Sequence, residues 1–302
     1  MSDIQKTTPT PEHMATELAS QPEVWAQAVD LTAEQALLPG AGQKVAIVGC
    51  GTSWFMAQAY AELREKAGLG LTDAYAASEA FVDRDYDAII ALTRSGTTTE
   101  VLELVNAQRG KKRIIGIVGD VNSPLVNSVD ELVKLPFADE ESVVQTRFAT
   151  TALAFLRASL GENLDQAIRD AQVAVDVPLG DELLSAEQYT FLGRGWTVGL
   201  AHEAGLKMRE AAQLWTESYP AMEYRHGPIA IAAPGRVTWM FGAAPDGLTA
   251  DVAHTGAHFE TSTLDPLADL IRAQRVALLR ARAQGLNADQ PRNLTRSVIL
   301  AG

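Results

Sequence analysis

Three groups of residues in the sequence carry side chains able to do chemistry. The loop MEYRHGP, residues 222–228, gathers Glu223, Arg225 and His226 directly before a Gly-Pro turn. A carboxylate beside an imidazole suits proton transfer, and a guanidinium suits an anion. The same charges also decorate an ordinary solvated turn. Just upstream, LAHEAGLKMREAAQ places Glu203, Lys207 and Glu210 at i, i+4 and i+7. On a helix these three lie along one stripe. The stripe reads either as an exposed row of ion pairs, which contributes little, or as a carboxylate base with supporting charges. Glu210 and His226, if they converge, supply a carboxylate base and an imidazole acid/base.

The third group is rich in hydroxyls. Gly51, Thr52 and Ser53 follow one apolar run, and Thr93, Arg94, Ser95, Gly96, Thr97 and Thr98 follow another. Each loop enters a helical segment. Free N–H groups, the helix dipole and hydroxyl donors together suit a phosphate. Alternatively each hydroxyl caps its own helix. A dinucleotide is the competing ligand, but GCGTSW has Trp54, and GRGWTV has Val198, where the third glycine of that fingerprint belongs. No lysine stands at P-loop spacing. Neither a nicotinamide nor a flavin cofactor is expected, and no metal.

The elements that must position these residues follow from hydrophobic pattern. Residues 1–10 read as a flexible lead, and PEHMATELASQPEVWAQAVD as one helix with Met14, Leu18 and Trp25 buried. KVAIVGC then opens an alternation of short apolar runs and helical segments: DAIIALTRSG, RIIGIVGD and ELVKLP as strands, WFMAQAYAELREKAG, TTTEVLELVNAQRG, SPLVNSV and TRFATTALAFLRASLG as helices. Continuously apolar strands alternating with helices imply a parallel sheet covered on both faces. After a helical, charged linker at 164–187 the plan restarts. QYTFLGRG repeats the strand-Gly-x-Gly of KVAIVGCG, and RVTWMFG and a weak HFETST follow before the closing helix DPLADLIRAQRVALLRARAQG. The expected organisation is an N-terminal helical lead (1–39), an α/β unit (40–163), the linker (164–187), a second, shortened α/β unit (188–287) and a tail (288–302). Ligands of such sheets bind beyond the carboxyl ends of the strands, where the hydroxyl loops fall.

Bulk properties narrow the function. The chain has 302 residues, 47% hydrophobic and 21% charged, which suits a globular protein with a real core. A formal net charge of -13 argues against nucleic acid and against docking on an anionic membrane. Cys50 is the only cysteine, so no internal disulfide forms, as expected in the cytoplasm. No apolar run approaches the ~20 residues of a membrane span, and MSDIQKTTPTPEHM lacks a signal-peptide stretch.

These residues resemble a known family. VGCGTS, TRSGTTTEVLE, FLGRG, EAGLKMREAAQLWTESYPAMEYRHGPIAI and DQPRNLTRSV are similar to the isomerase half of glucosamine-6-phosphate synthase, a pair of sugar-isomerase (SIS) domains. The resemblance runs from about residue 40 to the C-terminus. It implies two flavodoxin-like α/β subdomains, a site between them, and a homodimer. It assigns the sugar phosphate to Gly51, Thr52, Ser53, Thr93, Arg94, Ser95 and Thr98. It makes Glu210 the base that shuttles a proton between carbons 1 and 2, with Lys207 and Glu203 in support. His226, from the neighbouring subunit, helps open the ring. Glu140, Gln145, Glu223 and Arg296 lie near the sugar, and the tail enters the site. The implied substrate is an amino-sugar 6-phosphate or related phosphosugar, and the implied reaction isomerisation, deamination or cleavage of a sugar–amine adduct. A non-catalytic phosphosugar sensor is the alternative, although no helix-turn-helix segment precedes residue 40.

Three departures from the family pattern bear on substrate. The sequence shows no glutaminase domain or N-terminal cysteine, so release of ammonia from glutamine is not expected. Arg296 stands where the synthase has its Schiff-base lysine, and a guanidinium stays protonated. Gln145 stands where the synthase places a contacting serine.

Overall fold

The computed structural model describes residues 12–300. The flexible lead expected at 1–10 lies outside them. Three short helices come first: α1 (His13–Ala19), α2 (Gln21–Val29) and α3 (Thr32–Gln35). The single helix expected over this region is broken at Ser20 because Pro22 follows. In a continuous helix its ring would clash with the carbonyl of Leu18, whereas the first turn of a new helix accepts it. Met14, Leu18 and Trp25 are buried as expected. Trp25 Nε1 donates to Thr150 Oγ1 at 3.0 Å, and Gln21 Nε2 to Gln274 Oε1 at 2.8 Å, so α2 is tied to both halves of the chain.

The first α/β unit runs β1 (Val45–Gly49), α4 (Thr52–Lys66), β2 (Thr72–Ala76), β3 (Ala88–Thr93), α5 (Thr99–Gln108), β4 (Arg113–Val118), β5 (Glu131–Lys134) and α6 (Arg147–Ser159). Its five strands are all parallel in the order β2-β1-β3-β4-β5, the flavodoxin-like order. Every residue of β1 and β3 is buried, which explains their unbroken apolar sequences. The expected helix SPLVNSV is only the 3₁₀ turn Pro124–Asn127. Its seven residues include a proline and side chains that compete for backbone bonds, too few for stable α-helical turns.

Helices α7 (Asp165–Ala174) and α8 (Asp181–Ser185) lead to the second unit: β6 (Gln188–Gly193), α9 (Thr197–Ala212), β7 (Thr216–Pro220), β8 (Arg236–Met240), α10 (Leu248–Thr255), β9 (His258–Glu260) and α11 (Pro266–Ala283). Its parallel order, β7-β6-β8-β9, repeats the first sheet without a fifth strand. HFETST contributes only its first three residues to β9.

The two units share one apolar core, in which Met56 and Tyr60 of α4, Phe148 and Phe155 of α6, Leu200 and Met208 of α9 and Ile271 of α11 are all buried. Helices α4 and α9 cross at Gly199, where an added Cβ would stand 2.3 Å from the carbonyl oxygen of Phe55. That close approach fixes α9 against α4, and so sets the side chains of one unit over the strand ends of the other. Among the described residues, no helix is long and apolar enough to cross a membrane.

Candidate active site

A cavity of about 190 Å³ opens at the carboxyl ends of β1 and β3. Its floor is the two hydroxyl loops: Gly51, Thr52 and Ser53 at the start of α4, and Thr93, Arg94, Ser95 and Thr98 ahead of α5. The second loop is shaped by Gly96, whose φ is 59° and where a Cβ would stand 2.0 Å from Ser123 Oγ. Only glycine fits there. Gly96 N donates to Thr93 Oγ1 at 3.3 Å, and Thr97 N to Ser95 Oγ at 3.3 Å. Among the described residues the hydroxyls of Ser53 and Thr98 have no hydrogen-bond partner. The capping alternative therefore fails at these positions, and neither helix takes a side-chain bond from its N-cap residue. The loops are left as polar, helix-terminal surfaces of the kind that accepts an anion.

Arg94 departs from its expected role. Its side chain is buried, Nη1 donates to the carbonyl of Ser142 at 2.9 Å, and Nη2 donates to that of Arg296 at 2.8 Å. The guanidinium thus holds the tail against the first unit and is not presented to a phosphate. Glu140 departs further. It is fully buried and absent from the cavity wall. Its carboxylate accepts from Thr146 N at 2.6 Å, Thr146 Oγ1 at 2.8 Å, Arg147 N at 2.8 Å and Phe148 N at 3.3 Å, with Arg94 at 3.8 Å. It caps α6 from a distance of six residues. Burial raises the pKa of Glu140, and the nearby Arg94 opposes that rise.

From the second unit, Glu210 reaches the opposite wall of the cavity. The stripe on α9 is not an exposed ion-pair row. Glu203 and Lys207 are completely buried, and the Glu210 side chain retains 20% of its exposure. Lys207 Nζ bridges the carboxylates, 3.5 Å from Glu203 and in direct contact with Glu210. Neither oxygen of Glu203 finds a well-formed hydrogen bond. Burial pushes the Glu203 carboxyl up to about 8, Lys207 opposes that rise, and the like charge of Glu210 adds to it. Burial alone would lower the pKa of Lys207, but the neighbouring Glu203 and Glu210 outweigh it and raise it. Lys207 thus fixes Glu210 at the cavity edge without filling the cavity.

Gln145 and the tail complete the walls. Residues 294–298 cross the mouth, where Thr97 Oγ1 donates to Ser297 Oγ at 2.9 Å and Thr99 N donates to the carbonyl of Val298 at 3.1 Å. Arg296 lines the cavity and pairs with Asp139, a residue the sequence did not single out although it adjoins Glu140. A second cavity, about 690 Å³, shares Glu210 and Leu294 with the first and is flanked by Arg209, Trp215, Glu217 and Arg292.

Glu223 and His226 are not brought to the cavity within one chain. They sit on the 3₁₀ turn Glu223–His226 and are exposed. That turn is pinned by Tyr224, whose hydroxyl lies 3.0 Å from Thr238 Oγ1, and by Arg225, which donates to Asp251 Oδ2 at 2.6 Å and to the carbonyl of Asp246 at 2.7 Å. Arg225 anchors the loop, and Glu223 and His226 beside it are exposed.

Two parallel sheets in flavodoxin-like order, with a cavity at the strand ends of the first lined from the second, define an α/β protein of the SIS phosphosugar isomerase fold. A glucosamine-6-phosphate deaminase from Thermotoga maritima superposes with a TM-score of 0.79 at 23% identity, over 95% of this chain and 99% of that one. The C-terminal domain of glucosamine-fructose-6-phosphate aminotransferase from Francisella tularensis does so with a TM-score of 0.74 at 21% identity, over 94% and 99%. In sequence the chain resembles the isomerase half of glutamine–fructose-6-phosphate aminotransferase. It is 27% identical to that protein of Nostoc sp. (strain PCC 9229) over 85% of its own length and 52% of the relative's. It thus spans about half the length of the curated relatives it matches. No protein-family model matches the chain.

Proposed function

We propose that the chain is an enzyme of phosphosugar metabolism, an aldose–ketose isomerase or deaminase of an amino-sugar 6-phosphate, working in the cytoplasm. One observation carries this reading: hydroxyl loops at two helix N-termini of one unit and a carboxylate from the other line the same small cavity. The phosphate sits on Thr52, Ser53, Ser95 and Thr98, and its binding energy orients the distant carbons. Glu210 takes the proton from carbon 2 of the open-chain sugar and returns it to carbon 1, while Lys207 keeps the carboxylate aimed. With a 2-amino sugar the product is an imine at carbon 2. Water then adds there and ammonia leaves.

His226 reaches this chemistry only from a second copy, because within one chain it faces solvent. The functional form is therefore a homodimer, and a fully active monomer in sedimentation would refute that part of the reading. Arg296, paired with Asp139, favours a second reading, a phosphosugar sensor without turnover. Glu210 separates the two. Glu210→Gln is expected to bind glucosamine 6-phosphate within a few fold of the wild type and to lose solvent-deuterium exchange at carbon 2. Exchange unchanged by the substitution removes Glu210 from the role, and no exchange in the wild type supports the sensor.

A further inference from the structure

Glu17, on α1, is not part of the cavity wall, yet a chain of buried hydrogen bonds leads from it into the site. The residue is only 3% exposed. Its Oε1 accepts from the backbone N–H groups of Glu141 and Ser142, and its Oε2 from the hydroxyl of Ser142. Among the described residues those two N–H groups have no other acceptor. Helix α1 is itself held at both ends. His13 N and Met14 N donate to the carboxylate of Asp289 at 2.8 and 2.7 Å, and Ser20 Oγ accepts from Arg147 Nη1 at 3.1 Å. From Ser142 the chain continues through its carbonyl, which accepts from Arg94 Nη1 at 2.9 Å. Arg94 Nη2 donates in turn to the carbonyl of Arg296 at 2.8 Å. Arg94 stands between Thr93 and Ser95 in the second hydroxyl loop, and Arg296 lines the cavity from the tail.

We infer that Glu17 is a positioning residue of the site: by holding Ser142 it sets Arg94, and through Arg94 it fixes the hydroxyl loop and the tail. This rests on the phosphosugar reading above and goes beyond it, because the residue touches no substrate. The argument is one of hydrogen-bond supply. An apolar side chain in place of Glu17 leaves two buried N–H groups without an acceptor. Such groups are almost always paired, so the backbone at 141–142 turns to find another partner. The carbonyl of Ser142 turns with it, and Arg94 either follows or loses its bond. A misplacement of about 1 Å at a positioning group costs on the order of 100-fold in rate. Glutamine in place of Glu17 avoids this. Its Oε1 serves the two N–H groups, and its Nε2 donates to Ser142 Oγ. The single hydroxyl proton of Ser142 then goes to the carbonyl of Val144, 2.7 Å away.

The experiment compares wild type, Glu17→Leu, Glu17→Gln and Ser142→Ala, each held well below its own melting temperature. It measures Kd by calorimetry for inorganic phosphate and glucosamine 6-phosphate, and solvent-deuterium exchange at carbon 2 of the sugar. Glu17→Leu is expected to weaken both ligands and to slow exchange, each by about 10- to 100-fold. Glu17→Gln is expected to stay within a few fold of the wild type in all three. A residue that only stabilises the fold lowers the melting temperature of Glu17→Leu and leaves Kd and exchange of the folded protein unchanged. That result overturns the proposal. Glu17→Gln as impaired as Glu17→Leu overturns it too, because the charge and not the hydrogen bonds is then at work. Where Glu17→Leu does not fold, Ser142→Ala decides. It removes one hydroxyl from the same chain of bonds and is expected to weaken both ligands about 2- to 10-fold, and affinities equal to the wild type overturn the proposal. Wild type that binds inorganic phosphate but not glucosamine 6-phosphate overturns the phosphosugar reading itself, and the role of Glu17 is then decided on inorganic phosphate alone.

Discussion

Glu140 offers a quantitative test of the division between binding groups and supporting groups. The sequence resemblance puts it beside the sugar, while the structure puts it under the start of α6. Three backbone N–H groups and one hydroxyl converge on its carboxylate, and Arg94 stands 3.8 Å away. Replacing Glu140 by Ala leaves those donors without an acceptor and Arg94 without its counter-charge. Removing one partner of a buried ion pair costs about 3–5 kcal/mol. A domain of this size shifts by about 2–4 °C per kcal/mol, so a fall of about 6–20 °C in Tm is expected. Glu140→Gln retains an oxygen at the Oε1 position, which takes three of the four bonds, but turns an NH₂ towards Arg94 and Phe148 N. Its loss should be smaller, about 1–3 kcal/mol, the cost of one mispaired buried group. Thermal melts with urea midpoints measure both. If Glu140→Ala melts with the wild type and instead loses affinity for glucosamine 6-phosphate, the carboxylate is a ligand and the capping argument is wrong.

Two further outcomes follow from the packing of α9. Glu203 keeps its proton in the folded chain up to about pH 8 but has an ordinary value of 4.5 when unfolded. The stability it contributes is therefore complete below pH 4.5 and is lost as pH rises towards 8, with a slope of at most about 1.4 kcal/mol per pH unit. Urea midpoints across pH 5–8 should show that slope in the wild type and not in Glu203→Gln, and parallel curves count against a protonated Glu203. Gly199→Ala should cost about 1–3 kcal/mol or more, because its Cβ meets the backbone oxygen of Phe55 and cannot rotate away. An unchanged urea midpoint in that variant refutes the tight α4–α9 crossing.

Much of the fold was legible because a parallel sheet writes itself as unbroken apolar runs. Val45–Gly49 and Ala88–Thr93 are buried at every position, and each is followed by the hydroxyl loop that became the cavity floor. The stripe of Glu203, Lys207 and Glu210 was legible as a stripe but not as buried, since spacing fixes which residues share a helix face and not what covers that face. Glu140 and Arg94 were misread for a common reason. A carboxylate that caps a helix six residues on, and a guanidinium that holds a carbonyl 202 residues away, look in sequence like ligands for a sugar. The outward direction of Glu223 and His226 depends on Tyr224 and Arg225, whose partners Thr238, Asp246 and Asp251 belong to later elements.

The internal repeat shows how the site came to be single. Both units present strand-Gly-x-Gly followed by a long helix, so two equivalent anion sites would be the simplest expectation. In the second unit Thr197 Oγ1 accepts from Arg194 N at 2.8 Å and donates to the carbonyl of Phe241 at 3.0 Å, which closes the turn on itself. In the first unit the hydroxyls of Ser53 and Thr98 have no partner among the described residues. The second unit gives up the phosphate and supplies the base instead. Its helix α9 is pressed against α4 at Gly199, which carries Glu203 towards Thr52 and Glu210 to the far wall. A base built on a rigid helix and held by a buried lysine keeps its distance from the anion loops fixed. That is what a proton transfer at one end of a sugar held by its other end requires.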